Sequence, residues 1–215
     1  MENVLIIFLK YPEPGKVKTR LAHDIGNEKA CEIYKLLAEN VINNVFIENP
    51  PTYDVHFFFT PADKEKGIKG WLKPILDNSQ EITAQYSPQE GNTLGERMSN
   101  AFKQTLQRED YKRCIIIGTD CPEIDAALID DAFDVLKEKD IVIGPCKDGG
   151  YYLLGMSKLV SDLFEDIDWS TDRVFKQTME KIRKNNLSCD ILKILADIDT
   201  QEDLKIYSTI RRIFF

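Results

Sequence analysis

The sequence predicts an α/β protein with three layers, α/β/α, around a mixed and mostly parallel central sheet. Short apolar runs alternate along the chain with amphipathic stretches, which is the order of strands and helices in such folds. Most of the apolar runs are nearly continuous, as expected of strands that are buried on both faces. The 215 residues are 43% hydrophobic and 30% charged. These values are ordinary for a globular protein, and we expect a single domain over residues 1–215.

Six apolar runs and one weaker run predict the strands. They are Val4–Leu9, Val55–Phe59, Ile115–Ile117, Ile141–Ile143, Tyr151–Met156 and Ile191–Leu195, with the weaker run at Ile82–Tyr86. The segment from Pro145 to Tyr151 is too short for a crossover helix. The two strands that it joins should therefore be antiparallel, which makes the sheet mixed.

Apolar residues at spacings of three or four predict the helices. The predicted helices begin near Asn27, Thr93, Asp125, Val174 and Thr200. Asn27, Thr93 and Asp125 are residue types that favour the N-cap, and the helix after Asp125 should run through Leu136. Glu96 lies three residues after Thr93 and completes a capping box. Residues 48–52 and 61–70 are predicted to be loops.

The charge pattern favours a compact anionic ligand. The net charge is −8, whereas a general nucleic-acid binder needs surplus Lys and Arg for the phosphate backbone. Residues 1–20 nevertheless carry a net charge of +2, because Lys10, Lys16, Lys18 and Arg20 outnumber two glutamates. A small positive patch on an acidic protein suits a small anion better than a polymer.

The termini and the cysteines predict a cytoplasmic protein. The apolar run Val4–Leu9 is too short for a signal-peptide core or a membrane span. Five cysteines at wide spacings, without a C-x-x-C motif, indicate free thiols in a reducing compartment. The apolar C-terminal residues 210–215 are expected to dock on the body of the protein or on a partner subunit, which would make a homo-oligomer.

Ligands of open α/β sheets bind beyond the carboxyl ends of the strands, so the segments that follow the apolar runs are the candidate site. After the first run, two prolines and Gly15 make a stiff turn, and Lys16, Lys18 and Arg20 alternate. In an extended backbone these three cations would share one side and could hold a diphosphate. The alternative is a solvated basic loop.

Aspartates follow three later strands. Asp120 at the tip of a buried strand is a candidate ligand for Mg²⁺, or else a turn aspartate. Asp148 lies in an Asp-Gly-Gly turn and could bind a ligand hydroxyl or act as a base, while the glycines could let the backbone approach a ligand. Asp197 and Asp199 alternate, so one of them could supply a second carboxylate to the metal. The alternative is a helix start at Thr200.

Two aromatic or basic positions are candidates with a structural alternative. Arg97 lies one turn into a predicted helix and could reach a phosphate or only solvent. Trp169 could stack on a ring or pack in the core.

Six motifs follow one another along the chain. They are Y-P-x-P-G-x-V-K-T-R-L from Tyr11, L-G-E-R-M from Leu94, G-T-D-C-P from Gly118, G-P-x-x-D-G-G-Y-Y-L-x-G from Gly144, W-S-T from Trp169 and D-I-D-T-x-x-D-L from Asp197. In this order they resemble a bacterial glycosyltransferase-like family with the GT-A, or nucleotide-diphospho-sugar transferase, fold. That family is distantly related to the molybdenum-cofactor and phospholactate guanylyltransferases. The resemblance runs from about residue 4 to residue 206.

The resemblance implies a set of site residues. Nucleotide or phosphate binding is expected of Pro14, Gly15, Lys16, Lys18, Thr19, Arg20, Arg97, Gly118 and Thr119. Acceptor or sugar binding is expected of Gly149, Gly150, Tyr151 and Trp169. Mg²⁺ or Mn²⁺ would be held by Asp120 with a second carboxylate from Asp199, and Asp148 would be the catalytic residue.

Two departures from the pattern bear on the activity. Gly-Thr-Asp-Cys stands where such glycosyltransferases commonly have Asp-x-Asp, so the second carboxylate must come from elsewhere. The first loop has one glycine and two prolines, whereas related nucleotidyltransferases use several glycines whose N–H groups hold a triphosphate.

Three functions fit these observations. The first is transfer of a glycosyl group from a nucleotide-diphosphate sugar to an acceptor that the sequence leaves unidentified. The second is a nucleotidyltransferase that uses a nucleoside triphosphate and releases pyrophosphate. The third is a nucleotide-binding regulatory protein without turnover, which the missing second aspartate would explain.

Overall fold

The computed structural model of the protein describes residues 1–46, 51–77 and 84–211, with side chains up to residue 207. Its centre is a seven-stranded sheet in the order β3-β2-β1-β4-β6-β5-β7. The strands are β1 (Asn3–Lys10), β2 (Asp54–Thr60), β3 (Ala84–Pro88), β4 (Arg113–Ile117), β5 (Ile141–Pro145), β6 (Tyr151–Met156) and β7 (Cys189–Ile191). Strand β1 pairs in parallel with β2 and β4, and the pairs β2–β3 and β5–β7 are parallel as well.

The predicted antiparallel hairpin is confirmed. Strand β6 runs antiparallel to both β4 and β5. The sheet is therefore mixed and mostly parallel, as the short segment between β5 and β6 predicted.

Helices cover both faces of the sheet, which confirms the three layers. They are α1 (Thr19–Ile25), α2 (Asn27–Phe46), α3 (Glu65–Asp77), α4 (Leu94–Leu106), α5 (Ala126–Val135), α6 (Val174–Lys184) and α7 (Gln201–Arg211). One face of the sheet packs on α2, α3 and α5 through residues such as Val41, Ile68 and Ile129. The other face packs on α4 and α6 through Phe102 and Ile182. Both cores are apolar and largely inaccessible to water, which is the main source of stability in such a fold.

Two local predictions differ from the structure. Residues 61–70 were expected to be a loop, but α3 begins at Glu65, because burial of Ile68 and Leu72 outweighs the helix-breaking Gly67 and Gly70. The last strand ends at Ile191, whereas the predicted run begins there. Leu195 makes only an isolated bridge to Cys146.

Other boundaries differ by a few residues. Strand β3 occupies Ala84–Pro88, and residues 82 and 83 of the predicted run lie outside the described part of the chain. Asn27 is the first residue of α2 rather than its cap. Residues 48–50 of the predicted loop 48–52 and residues 212–215 of the apolar C-terminus also lie outside the described residues.

One edge of the sheet collects the segments that carried the candidate residues. The registers Lys10↔Thr60, Phe59↔Pro88 and Ile7↔Ile117 bring the carboxyl ends of β1 to β4 together. Because β6 is antiparallel, its beginning lies at the same edge, beside the end of β5. Within residues 1–46, 51–77 and 84–211, no helix has both the length and the apolar composition needed to cross a membrane.

The capping box of α4 is confirmed in both directions. Glu96 N donates to Thr93 Oγ1, and the Glu96 carboxylate accepts from Thr93 N. We expect Thr93→Ala to lower the free energy of unfolding by about 1 kcal/mol, because the N–H group loses its acceptor. Urea unfolding at pH 7 measures this change. The matched control is Ser99→Ala, which removes a hydroxyl inside the same helix. An equal loss in both variants would contradict the role of the cap.

Candidate active site

The basic loop after β1 is not extended, which corrects the prediction that its three cations share one side. Lys18 adopts a left-handed conformation with φ 45° and immediately precedes α1, which already contains Thr19 and Arg20. The buried side chains of Val17 and Leu21 hold the loop and the helix against the body of the protein. Lys16 and Arg20 are exposed, whereas the Lys18 side chain turns inward.

Lys18 lies between two of the predicted metal ligands. Its Nζ atom is 2.5 Å from Asp120 Oδ1 and 2.8 Å from Asp199 Oδ1. The Lys18 side chain is only 4% exposed, while those of Asp120 and Asp199 are 48% and 35% exposed. Burial acts to lower the pKa of Lys18, but the two carboxylates outweigh it, so the pKa is raised. Lys18 is therefore a fixed cation in a site that opens to solvent on the carboxylate side.

Backbone and capping contacts fix the two carboxylates. Ile198 N donates to the Asp120 carbonyl at 3.1 Å, which joins the segment before α7 to the end of β4. Asp203 Oδ2 accepts from the N–H groups of Asp199 and Thr200, and Thr200 Oγ1 accepts from Asp203 N. The predicted helix start at Thr200 is thus present, and it leaves the Asp199 side chain available for Lys18.

Tyr34 stabilises the same edge of the sheet, and the sequence did not predict this role. Its hydroxyl accepts from Lys10 N at 2.7 Å and donates to the Lys10 carbonyl, so α2 holds the end of β1. Burial raises the pKa of Tyr34, and Thr119, which is also buried, lies within its reach. The periodic position of Tyr34 in α2 indicated only a core residue.

A second group of side chains lies next to the first. Ligand atoms of Cys146, Asp148 and Asp197 are all within 4.8 Å of one another. Gly150 N donates to Asp148 Oδ1 at 2.8 Å, which fixes the exposed carboxylate. Burial, followed by the charges of Asp148 and Asp199, raises the pKa of Asp197 to about 6. Asp197 was considered as an alternative to Asp199, and the structure brings both carboxylates to this edge.

Several of the other predicted residues have packing contacts. Gly149 has φ 90°, and a Cβ atom there would lie 2.2 Å from the Asp172 carbonyl oxygen. Trp169 packs over Gly95, where a Cβ atom would lie 2.4 Å from its Nε1 atom. The rings of Tyr151 and Trp169 meet edge to face with centroids 6.4 Å apart. These contacts explain the residue types structurally, and roles in acceptor binding stay predictions.

Arg97, Gly118 and the turn residues stay predictions as well. Arg97 Nε donates to the Gly91 carbonyl at 3.0 Å, which ties the side chain to the loop before α4. No atom lies within 4 Å of a Cβ built on Gly118, so the backbone there is open. Pro14 is exposed and Gly15 is half-buried with φ 77° in the turn before Lys18.

A cleft of the protein lies away from the carboxylates. It has a volume of about 680 Å³, lies between α2 and α3 and is lined by residues such as Tyr11, Glu32 and Trp71. Lys18, Asp120 and Asp199 do not line it. The candidate carboxylates lie instead at the sheet edge, where the side chains of Asp120 and Asp199 are accessible to solvent.

The carboxylates fit a hard divalent cation. Asp120 Oδ1 is buried and has no hydrogen-bond donor of good geometry, so its one close contact is ionic, with Lys18. Asp120, Asp197 and Asp199 offer oxygen atoms, the ligands that Mg²⁺ and Mn²⁺ prefer. Around the single ammonium of Lys18 these three carboxylates, together with Asp148, leave a surplus of negative charge.

The mixed sheet and the acid-rich carboxyl edge define a protein with the nucleotide-diphospho-sugar transferase fold. Residues 47–171 match the family described as "Uncharacterized protein conserved in bacteria (DUF2064)", and the chain belongs to this family.

Curated relatives of the chain carry the name 2-phospho-L-lactate guanylyltransferase. The chain is 32% identical over 112 residues to the 2-phospho-L-lactate guanylyltransferase of Methanocaldococcus jannaschii, covering 50% of this chain and 47% of the relative. It is 28% identical over 152 residues to the same enzyme of Methanocaldococcus sp. FS406-22, covering 66% of this chain and 64% of the relative. The chain thus spans about half to two thirds of the length of these relatives.

Solved structures agree on the fold. A protein from Desulfovibrio desulfuricans G20, assigned by name to the nucleotide-diphospho-sugar transferases, is 34% identical with a TM-score of 0.87. That match covers all of this chain and 90% of the other. A Mycobacterium tuberculosis H37Rv protein in complex with manganese is 10% identical with a TM-score of 0.51, over 96% and 97% of the two chains. At this identity the likeness shows the fold alone.

Asp197 gives the site a testable pH dependence. Its pKa rises from the ordinary 3.8 to about 6, so the folded state binds more protons than the unfolded state between these values. The free energy of unfolding therefore falls as the pH rises through this range and stays lowered above it. We expect Asp197→Asn to be more stable than the natural protein above pH about 6, with a difference that shrinks towards pH about 4.

Urea unfolding in the presence of a chelator at several pH values measures this difference. The matched control is Asp131→Asn, which removes an exposed carboxylate of α5 outside the cluster. A stability difference that does not change with pH, or one equal to that of the control, would contradict the assignment.

Proposed function

We propose that the protein is a nucleotidyltransferase, which transfers a nucleoside monophosphate from a nucleoside triphosphate to an acceptor and releases pyrophosphate. The observation that carries this proposal is the similarity to guanylyltransferases over half to two thirds of the chain. The acid-rich edge with its fixed lysine supports it, because such a site suits a polyphosphate bound with a divalent cation.

The negative charge of the site carboxylates means that a nucleotide would bind there together with a cation. Asp120 and Asp199 contact the buried ammonium of Lys18, Asp197 and Asp148 lie beside them, and a polyphosphate brought to these carboxylates alone would be repelled. Asp120 and Asp199, with Asp197 beside them, would hold Mg²⁺ or Mn²⁺. The bound cation would supply charge neutralisation for the phosphate oxygens and the leaving pyrophosphate.

The chain's own residues then position the reactants. Lys18 fixes the direction of Asp120 and Asp199, because its ammonium contacts one oxygen of each. Asp148 is held through Oδ1 by Gly150 N, which leaves Oδ2 for an acceptor. In nucleotidyl transfer an acceptor oxygen attacks the α-phosphorus, and the bond to the pyrophosphate oxygen breaks. A phosphate acceptor is already ionised near pH 7, so it needs no base, and Asp148 would orient it through the bound cation because direct contact between the two anions would be repulsive.

Glycosyl transfer is the second candidate, and the name of the Desulfovibrio desulfuricans G20 protein favours it. It would release a nucleoside diphosphate or monophosphate, and a hydroxyl acceptor would need Asp148 as a base. The regulatory function without turnover loses its main support. The second carboxylate missing from Gly-Thr-Asp-Cys is available from Asp199 in a distant segment.

Product analysis separates the candidates. The protein is first screened by thermal shift against nucleoside triphosphates, diphosphates and sugar nucleotides, each with Mg²⁺, Mn²⁺ or chelator. A ligand at 100 times its dissociation constant adds about 2.7 kcal/mol, which raises the midpoint measurably. We expect cation-dependent stabilisation by a triphosphate and, with phosphorylated or carboxylate acceptors, release of pyrophosphate.

The control variants test the placement of the cation. Asp120→Asn should lose the cation-dependent shift, whereas Asp131→Asn should keep it. A sugar nucleotide that stabilises the protein more than its parent diphosphate does, together with a nucleoside diphosphate as product, would favour glycosyl transfer instead. Binding without any product would favour the regulatory function.

The size of the loss in turnover caused by Asp148→Asn distinguishes nucleotidyl transfer from glycosyl transfer. Nucleotide affinity should stay near normal, because Asp148 faces the acceptor in both proposals. A lost general base costs about 10²- to 10⁴-fold in turnover, whereas a residue that only orients an ionised acceptor should cost less. Steady-state kinetics with the screened substrates measure the loss. Full activity of the variant would remove Asp148 from either mechanism.

A further inference from the structure

Two thiols meet at the edge of the candidate site. Cys121 Sγ and Cys146 Sγ are 3.6 Å apart. Cys121 follows the end of β4, and Cys146 directly follows β5, so the pair spans the start of β6. A disulfide bond needs about 2.05 Å between the sulfur atoms, a closure that side-chain rotation and a small backbone shift can supply.

The pair joins two of the three segments that carry the site carboxylates. Cys121 is the neighbour of Asp120 in the chain, and Cys146 lies two residues before Asp148. Cys146 also belongs to the group in which its sulfur and the carboxylates of Asp148 and Asp197 are within 4.8 Å. A covalent bond between the two sulfur atoms would therefore tie the Asp120 segment to the Asp148 turn.

The other cysteines have no such arrangement. Cys114 is fully buried in β4, and Cys31 is buried against Val17 and Tyr34. Cys189 is half-buried in β7, and its sulfur donates to the Asp190 carbonyl. In the part of the chain that the structure describes, Cys121 and Cys146 are the one pair of thiols in contact.

The two thiols differ in access. Cys121 is 2% exposed, whereas Cys146 is half-buried and faces the open edge. The contact with Cys146, together with burial, raises the pKa of Cys121, so the neutral Cys121 thiol is its resting form. Such a pair stays reduced in a reducing compartment and is oxidised when the disulfide pool rises. Cys146 is therefore the thiol that meets an oxidant first.

We propose that Cys121 and Cys146 form a reversible intramolecular disulfide by exchange with a low-molecular-weight disulfide. The Cys146 thiolate attacks one sulfur of the small disulfide, which gives a mixed disulfide and releases one small thiol. The Cys121 thiolate then attacks the Cys146 sulfur and releases the second small thiol. The protons of the two cysteines end on the two released thiols, so one small disulfide is reduced for each protein disulfide formed.

The bond regulates the site that the proposed function uses, and this part of the inference rests on that function. In the proposed function the Asp120 segment holds the cation with its nucleotide and the Asp148 turn faces the acceptor, so the distance between the two segments must suit the bound ligands. Pulling Cys121 and Cys146 together fixes this distance at one value. We expect nucleotide binding with Mg²⁺ or Mn²⁺ to weaken about tenfold in the oxidised protein, and dithiothreitol to restore it.

The experiment is a redox titration of the full chain in glutathione buffers. Free thiols are blocked with N-ethylmaleimide in denaturant, and the mass of the intact protein counts them. Five thiols should react in the reduced protein and three in the oxidised protein, with a peptide map that joins Cys121 to Cys146. Cys146→Ser should give no intramolecular crosslink. Cys121→Ala is the second variant, and Cys189→Ser is the matched control that keeps the crosslink.

Each outcome decides one claim. Absence of the Cys121–Cys146 crosslink in every glutathione buffer overturns the inference, as does a crosslink that survives in Cys146→Ser. A crosslink together with unchanged nucleotide binding in the oxidised protein overturns the regulatory part. A crosslink in a protein that binds no nucleotide in either redox state leaves the thiol pair established and contradicts the proposed function instead.

Discussion

The site depends on one buried ammonium. Lys18 contacts Asp120 and Asp199, and the contact with Asp199 joins residues 181 positions apart in the chain. An ammonium that is only 4% exposed is tolerable in a folded protein because two carboxylates surround it. The carboxylates in turn are held in one direction by the ammonium. Removing Lys18 would leave two neighbouring carboxylates without their cation, whereas removing one aspartate would leave the buried ammonium with a single carboxylate.

The topology places these three residues at one edge. Lys18 follows β1 and Asp120 follows β4, and these strands are parallel neighbours in the sheet. Asp199 comes from beyond β7, and the bond from Ile198 N to the Asp120 carbonyl brings it across the end of the sheet. The antiparallel β6 allows a tight turn after β5, so Asp148 reaches the same edge without a crossover helix. The antiparallel direction of β6 therefore places the Asp148 carboxylate at the same edge as the others.

Local signals in the sequence predicted local structure well. The capping box at Thr93 and the N-cap at Asp125 depend on residues a few positions apart, and both form. Helix α3 was not predicted from the sequence, because glycines and Pro74 interrupt its apolar pattern. Its apolar side is recognisable only from the residues that it buries in the core. The inward direction of the Lys18 side chain was not predicted either, because the burial of Val17 and the contact with the distant Asp199 determine it. The roles of the site residues in binding and catalysis stay predictions.

Charge links the two ligands of the proposed reaction. Lys18 already contacts one oxygen of Asp120 and one of Asp199, so it competes with a divalent cation for the same carboxylates. The phosphates of a nucleotide are a further anion for this ammonium, so a bound nucleotide weakens its hold on the two carboxylates in favour of the cation. Nucleotide and cation should therefore each strengthen the binding of the other, by the same factor in both directions. The surplus of carboxylates makes the edge selective for the pair over either partner alone.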